Sequence, residues 1–136
     1  MTAESTALQA DSPYVVDISD RTASVYDGAV SRTLLFTTDL LPGKHIVRTA
    51  VARTAVGQGG EPHHHPDTDE YYYVLTGQAH VVIAGREHHV GPGSLVHVPC
   101  RTTHRMANGG DTELTYLAFH VADAAFDGAV EHVGDR

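Results

Sequence analysis

Residues 57–77 read GQGGEPHHHPDTDEYYYVLTG, and this stretch decides the fold. His63 and His65 stand two positions apart, and in an extended strand such positions share a face. Pro66 to Asp69 supply a polar, turn-forming break that reverses the chain. Glu70 then opens the next strand beside the two imidazoles, so that two ring nitrogens and a carboxylate converge. Beyond the turn, Tyr72 and Val74 keep the parity of Glu70 and are expected to face the same interior. Tyr71, Tyr73 and Leu75 take the opposite face, as does His64, which is expected at the surface or an interface.

A second stretch has the same build. Residues 93–108 read GSLVHVPCRTTHRMAN: a strand from Ser94 to Val98, a corner from Pro99 to Thr103, and His104 opening a return strand. His104 is the candidate for a fourth ligand, although period counting alone leaves open whether the two hairpins face each other.

Outward from these stretches the sequence keeps one rhythm. Short segments rich in β-branched and aromatic residues alternate with Gly, Pro, Asn and Asp, the pattern of an all-β sandwich or barrel. The expected strands are Ser31–Thr37, His45–Thr54, Glu70–Leu75, Ala79–Ala84, Leu95–Val98 and Leu114–His120. Turns are expected at Leu41-Pro42-Gly43, Thr76-Gly77-Gln78, Gly91-Pro92-Gly93 and Asn108-Gly109-Gly110-Asp111. The one helical suggestion, Ala122 to Val130, is short and interrupted by Gly128.

The two stretches together resemble the paired signature motifs of the cupin superfamily. The first pattern, Gly, five residues, His-x-His, four residues, Glu, six residues, Gly, is met by Gly57, His63, His65, Glu70 and Gly77. The second, Gly, five residues, Pro-x-Gly, two residues, His, three residues, Asn, is met by Gly93, Pro99, His104 and Asn108. Arg101 departs from it, standing where the family has the glycine of Pro-x-Gly. It either changes the turn or accepts a left-handed backbone at about 1 kcal/mol.

The resemblance covers residues 57–108. It implies a jelly-roll β-barrel, the double-stranded β-helix, whose cavity holds one divalent metal on His63, His65, Glu70 and His104. That donor set suits Fe, Mn, Co, Ni, Cu or Zn and leaves two open positions in an octahedral site. The rival reading of the quartet is a vestigial polar cluster that binds no metal.

Composition narrows the function. A chain of 136 residues fits a single domain. The expected layout is an arm over residues 1–13, a barrel over 14–121 and a tail over 122–136. Seventeen acidic against nine basic residues give a net charge of −8 with no Lys/Arg cluster, which argues against a nucleic-acid partner. The apolar runs fall far short of the roughly 20 residues needed to cross a bilayer, and the first residues lack the pattern of a signal peptide, so a cytoplasmic location is expected. With Cys100 alone there is no intramolecular disulfide or thiolate-rich metal site, leaving nitrogen and oxygen ligands.

The chain carries eleven His. His80, His97 and His120 sit in strands where alternation could turn them either way: each is a candidate base behind the ligands, with a half-buried histidine the commoner outcome; His88-His89 are expected on an exposed hairpin, and His45 and His132 carry no argument. Arg101, beside the corner, is a candidate guide for an anionic or phenolate substrate, and Cys100 reads as structural or incidental.

The resulting functional expectation is a metal-dependent enzyme on a small molecule, with Glu70 and Tyr72 as catalytic candidates. Dioxygenase or oxidoreductase chemistry on a phenolic, enol or polyketide-like substrate leads. Metal-assisted cyclisation or isomerisation in natural-product biosynthesis is the alternative, and a non-catalytic sugar- or metabolite-binding barrel is the rival from another class. Cupins commonly pair through sheet edges, so the resemblance also implies a homodimer.

Overall fold

A computed structural model describes residues 18–26, 28–37, 45–122 and 130–132. The expected arm over 1–13, the turn at Leu41-Pro42-Gly43 and most of the tail, including the helical suggestion, lie outside the described residues. Among the described residues a 3-10 turn, Ile18–Asp20, precedes eleven strands: β1 (Ser24–Tyr26), β2 (Val30–Thr37), β3 (Ile46–Thr54), β4 (His63–His64), β5 (Asp69–Thr76), β6 (Ala79–Ile83), β7 (Arg86–Val90), β8 (Leu95–Val98), β9 (His104–Asn108), β10 (Leu114–Val121) and β11 (Glu131–His132). All pairings between strands are antiparallel. One sheet runs β1-β2-β3-β10-β5-β8 and the other β11-β4-β9-β6-β7, an arrangement that fits the expected jelly roll.

The six expected strands all form, with every end within one residue of the expected one; Ala79–Ala84 stops at Ile83. Ala84 and Gly85, both at positive φ (50° and 80°), make a two-residue hairpin in which Ile83 pairs with Arg86. Such turns favour Asn-Gly, and Ala84 hides the signal. The return strand, Arg-Glu-His-His-Val, has no apolar alternation to announce it. Its first four residues are exposed, including the expected His88-His89 pair.

Register places side chains in rows across the interior of the first sheet. One row is Arg48, His120, Glu70 and Val98 on β3, β10, β5 and β8. The next is Ala50, Ala118, Tyr72 and Val96, and the third is Arg32, Ala52, Tyr116 and Val74. Val74, Val81, Val98 and Leu114 are almost fully buried, and Met106 belongs to the same apolar cluster. Parity is as expected along β5: Tyr72 and Val74 are buried, whereas Tyr73 and Leu75 are exposed.

The two motif stretches are tied to one another by backbone. The Arg101 amide donates to the His65 carbonyl at 2.7 Å, and the Cys100 amide donates to the Asp69 carboxylate at 3.0 Å. The other carboxylate oxygen of Asp69 meets His97 at 2.9 Å. The Asn108 amide group donates to the carbonyls of Thr54 (3.0 Å) and Thr112 (2.8 Å) and accepts from the Gly110 amide (2.8 Å), closing the turn before β10.

Arg101 takes the left-handed conformation, with φ at 60°. The corner therefore keeps its shape at the expense of strain, roughly 1–2 kcal/mol for a residue with a Cβ. Arg101→Gly relieves that strain but frees the unfolded chain by about 0.4–1 kcal/mol. A net stabilisation of roughly 0.5–1 kcal/mol is expected, read as a small rise in melting temperature; a fall would show that the Arg101 side chain contributes more than its backbone costs.

Candidate metal centre

The interior row and the second sheet deliver four buried donors to one point. His63 opens the short β4, where it pairs with His104 on β9, and His65 follows two residues on. Glu70 comes from β5 across the barrel. One ligand atom from each of His63, His65, Glu70 and His104 lies within 4.8 Å of the others, and all four residues are buried. The four residues that the resemblance implies as ligands are thus brought together.

Hydrogen bonds behind the rings define which nitrogens face inward. Nδ1 of His63 stands 2.7 Å from the Glu61 carbonyl, and Nδ1 of His104 stands 2.9 Å from the Thr102 carbonyl. A carbonyl only accepts, so each Nδ1 carries the proton and each Nε2 is left for the centre, the usual arrangement behind a metal-bound histidine. For His104 this leaves a conflict in the protein alone. Its Nε2 also meets an acceptor, Glu70 Oε1 at 3.2 Å, and a neutral imidazole cannot donate from both nitrogens. A divalent ion among these donors removes the conflict, so the residues fit such an ion.

Glu70 is the hub. Its Oε1 lies 3.1 Å from His65 Nε2 and accepts from the Tyr72 hydroxyl at 2.9 Å, while Oε2 lies 3.0 Å from His120 Nε2. Burial by itself would raise the Glu70 carboxyl. Electrostatic attraction from His120 and the close contacts with His104, His120 and His65 outweigh it and hold the carboxyl well below the usual carboxylate range. The group is an anion at neutral pH.

Tyr72 therefore finds the partner that a buried hydroxyl needs, and it acts on Glu70 from within the cavity. Tyr72→Phe is expected to fold normally and to weaken divalent-ion affinity about tenfold, since loss of an outer hydrogen bond to a ligand typically costs 10–100-fold. Competition against a chromogenic chelator measures it, and an unchanged affinity would show that Tyr72 only fills space.

His120 is the residue that sequence reading underrated. It is buried rather than half-buried, holds Glu70 Oε2, and meets the Thr68 hydroxyl at 3.2 Å through Nδ1. Its signal is its place opposite Glu70 in the pairing of β10 with β5, and single-strand parity does not contain that pairing. His132 on β11 also comes close, with its ring 5.5 Å from that of His63. Elsewhere, His64 turns outward to Glu131 at 2.9 Å, and His97 is exposed and stacked on Tyr71. Arg101 is exposed and does not line the cavity. Cys100 is half-buried.

The site opens into a small cavity, about 30 Å³, that reaches solvent. His63, Glu70, His120 and Tyr72 form one end. Ala50, Ala52 and Ala118 leave room in the middle, and Arg32 and Arg48 project into it from β2 and β3. A second donor group, His80, Glu87 and His89, lies on the outside of the β6–β7 hairpin, where two of its members are exposed. It needs separating from the buried centre in any measurement of metal content.

Comparison with known proteins agrees with this geometry. Residues 50–120 match the cupin domain family. A glucose-6-phosphate isomerase of Thermococcus kodakarensis is 33% identical over 104 residues, which are 72% of this chain and 52% of that protein. The chain thus spans about half the length of that relative. The polyketide synthase CurC of Streptomyces cyaneus is 27% identical over 121 residues, 89% of this chain and 77% of that protein. Among solved structures, the polyketide cyclase RemF of Streptomyces resistomycificus superimposes with a TM-score of 0.73 at 20% identity, covering 90% of this chain and 86% of that one. That likeness supports the fold. Family match, two-sheet architecture and the convergent histidines and glutamate agree, and this chain belongs to the cupin domain family.

Proposed function

We propose that the protein is a metal-dependent enzyme that moves a proton on a small enolisable carbonyl compound, in an isomerisation or cyclisation. The observation that carries this reading is Glu70. It is a buried carboxylate kept ionised at the meeting point of three imidazoles, with one oxygen held by Tyr72 and the other by His120, at the end of an open cavity. The names of the isomerase and polyketide relatives support the same class.

A divalent ion bound by His63, His65, Glu70 and His104 would act as a Lewis acid on a substrate oxygen. The chain's own residues do the rest. Glu70 is the carboxylate that accepts the substrate proton, and His120 stands 3.0 Å from its Oε2. Tyr72 donates to Oε1 and fixes the plane of the carboxylate. The buried walls around Tyr72, Tyr116 and Met106 exclude water from the enol or enolate.

The same nitrogen and oxygen donors accept redox-active ions, which keeps oxygenase chemistry as the second reading. One experiment separates the two. The metal-loaded protein is incubated in heavy water with a panel of β-dicarbonyl and α-hydroxycarbonyl compounds, while dissolved oxygen is followed. Loss of the α-proton signal without oxygen uptake, absent from Glu70→Gln, is the expected result. Oxygen uptake on phenolic or enolic compounds without proton exchange would replace this reading with the oxygenase. Neither reaction, together with ligand binding that survives metal removal, would leave a binding barrel.

The assembly we propose is a homodimer. Leu95 and Tyr73 are cross-strand partners on the outer face of β5 and the edge strand β8, and both are exposed with Leu75 beside them. Light scattering is expected to give twice the chain mass, and a clean monomer would refute the pairing.

A further inference from the structure

We propose that Arg32 and Arg48 form an oxyanion subsite in the cavity, which takes a carboxylate or phosphate of the substrate while its enolisable end faces Glu70. The inference rests on the proposed function for what happens at Glu70 but draws on different residues.

Arg48 sits on the same interior row as Glu70, two strands away, with His120 between them. Adjacent strands are about 4.8 Å apart, so the two Cα atoms are separated by roughly 10 Å. Arg32 lies opposite Ala52, four residues along β3 from Arg48. Each arginine lines the cavity, and the residues between them on β3 and β10 are Ala50, Ala52 and Ala118. Larger side chains at these three positions would fill the space between the guanidiniums and the metal donors. Alanines leave a flat apolar floor there, with the rings of Tyr72 and Tyr116 packed edge to face beside it at 5.2 Å.

Charge points the same way. In a chain with a net charge of −8, the described residues lining the cavity include two guanidiniums and a single carboxylate, Glu70, already engaged by His65, His104, His120 and Tyr72. A divalent ion at the centre adds two more positive charges. Two guanidiniums on one wall of the cavity favour an anion there over a cation. Guanidinium matches the paired oxygens of a carboxylate or phosphate, a geometry that lysine lacks. The substrate class is a small, flat or compact molecule with an oxyanion at one end and an enolisable carbonyl or hydroxyl at the other.

Nitrogen-15 labelled protein, with the Arg Nε–H signals assigned through Arg32→Gln and Arg48→Gln, is titrated with salicylate, with its neutral amide salicylamide, and with inorganic phosphate. Each titration is run metal-free and zinc-loaded. Saturable shifts of the Arg32 and Arg48 signals with salicylate and not with salicylamide are expected, together with at least fivefold weaker salicylate binding in each variant. Arg48→Lys is expected to fall between wild type and Arg48→Gln. Shifts with phosphate in place of salicylate would assign the oxyanion as a phosphate and uphold the subsite. If neither anion shifts the two signals, or if salicylamide binds as well as salicylate, the proposal is overturned. Shifts that persist in a protein unable to bind zinc would uphold the subsite while removing the metal-based reading, so the two fail separately.

Discussion

Glu70→Gln and His104→Ala are each expected to leave a folded barrel whose affinity for a divalent ion has fallen at least 100-fold. Loss of an outer-shell hydrogen bond costs about 10–100-fold, and removal of a ligand itself lies at or beyond the upper end of that range. Glu70→Gln preserves volume and takes away the one negative charge that offsets an ion among three imidazoles. His104→Ala removes a ring whose Nδ1 is already committed to the Thr102 carbonyl and whose Nε2 faces the centre. Neither residue belongs to the apolar cluster of Val74, Val81, Val98 and Leu114 that holds the sheets together. Both metal-free variants are therefore expected to keep the circular dichroism of the wild type. A melting temperature that rises with added zinc in wild type should stay flat in both, because an ion that binds only the native state stabilises in proportion to the logarithm of its concentration over the dissociation constant. Equal zinc-dependent stabilisation in all three proteins would place the ion elsewhere.

Gly77→Ala is expected to be the most damaging single methyl in the barrel. Gly77 has φ at 85°, and a Cβ there would stand 2.5 Å from the Glu113 carbonyl oxygen and 2.8 Å from the Leu114 Cα. Both obstacles are backbone, and Leu114 is fully buried at the start of β10, so nothing can swing aside. Left-handed strain of roughly 1–2 kcal/mol adds to the cost of prising apart the β5–β6 turn and β10. A loss of about 3–4 kcal/mol is expected, a large part of the usual 5–15 kcal/mol, seen as a fall of more than 10 °C in melting temperature. Gly57→Ala serves as the control: φ is 79°, yet a Cβ would meet nothing within 4 Å, so only the strain should appear. Equal losses at the two positions would show that the close approach at Gly77 carries no energy of its own.

What could be read from the chain was whatever depends on one strand and its turn. The shared face of His63 and His65, the return of Glu70 after Pro66–Asp69, and the burial of Tyr72 against the exposure of Tyr73 follow from a period of two. The family pattern added the partnership of His104 with the first motif, which parity left open. Residues joined only by long-range pairing were not legible. His120 meets Glu70 because β10 inserts between β3 and β5, fifty residues from Glu70 along the chain. Arg32 and Arg48 face the cavity because β2 and β3 form its wall, and in sequence they look like any solvated arginine. Strands β4 and β11 have two residues each, too short for any periodicity, and β7 is disguised by its polar sequence.

The central claim is that one divalent ion is held by His63, His65, Glu70 and His104. Elemental analysis of protein purified without metal-affinity resin or chelator tests it most directly, provided that the exposed His80–Glu87–His89 group is controlled. Close to one ion per chain is predicted, retained in His89→Ala and lost in His104→Ala. No ion in the purified protein and none taken up on reconstitution, or an ion that leaves with His89→Ala and stays with His104→Ala, would contradict it.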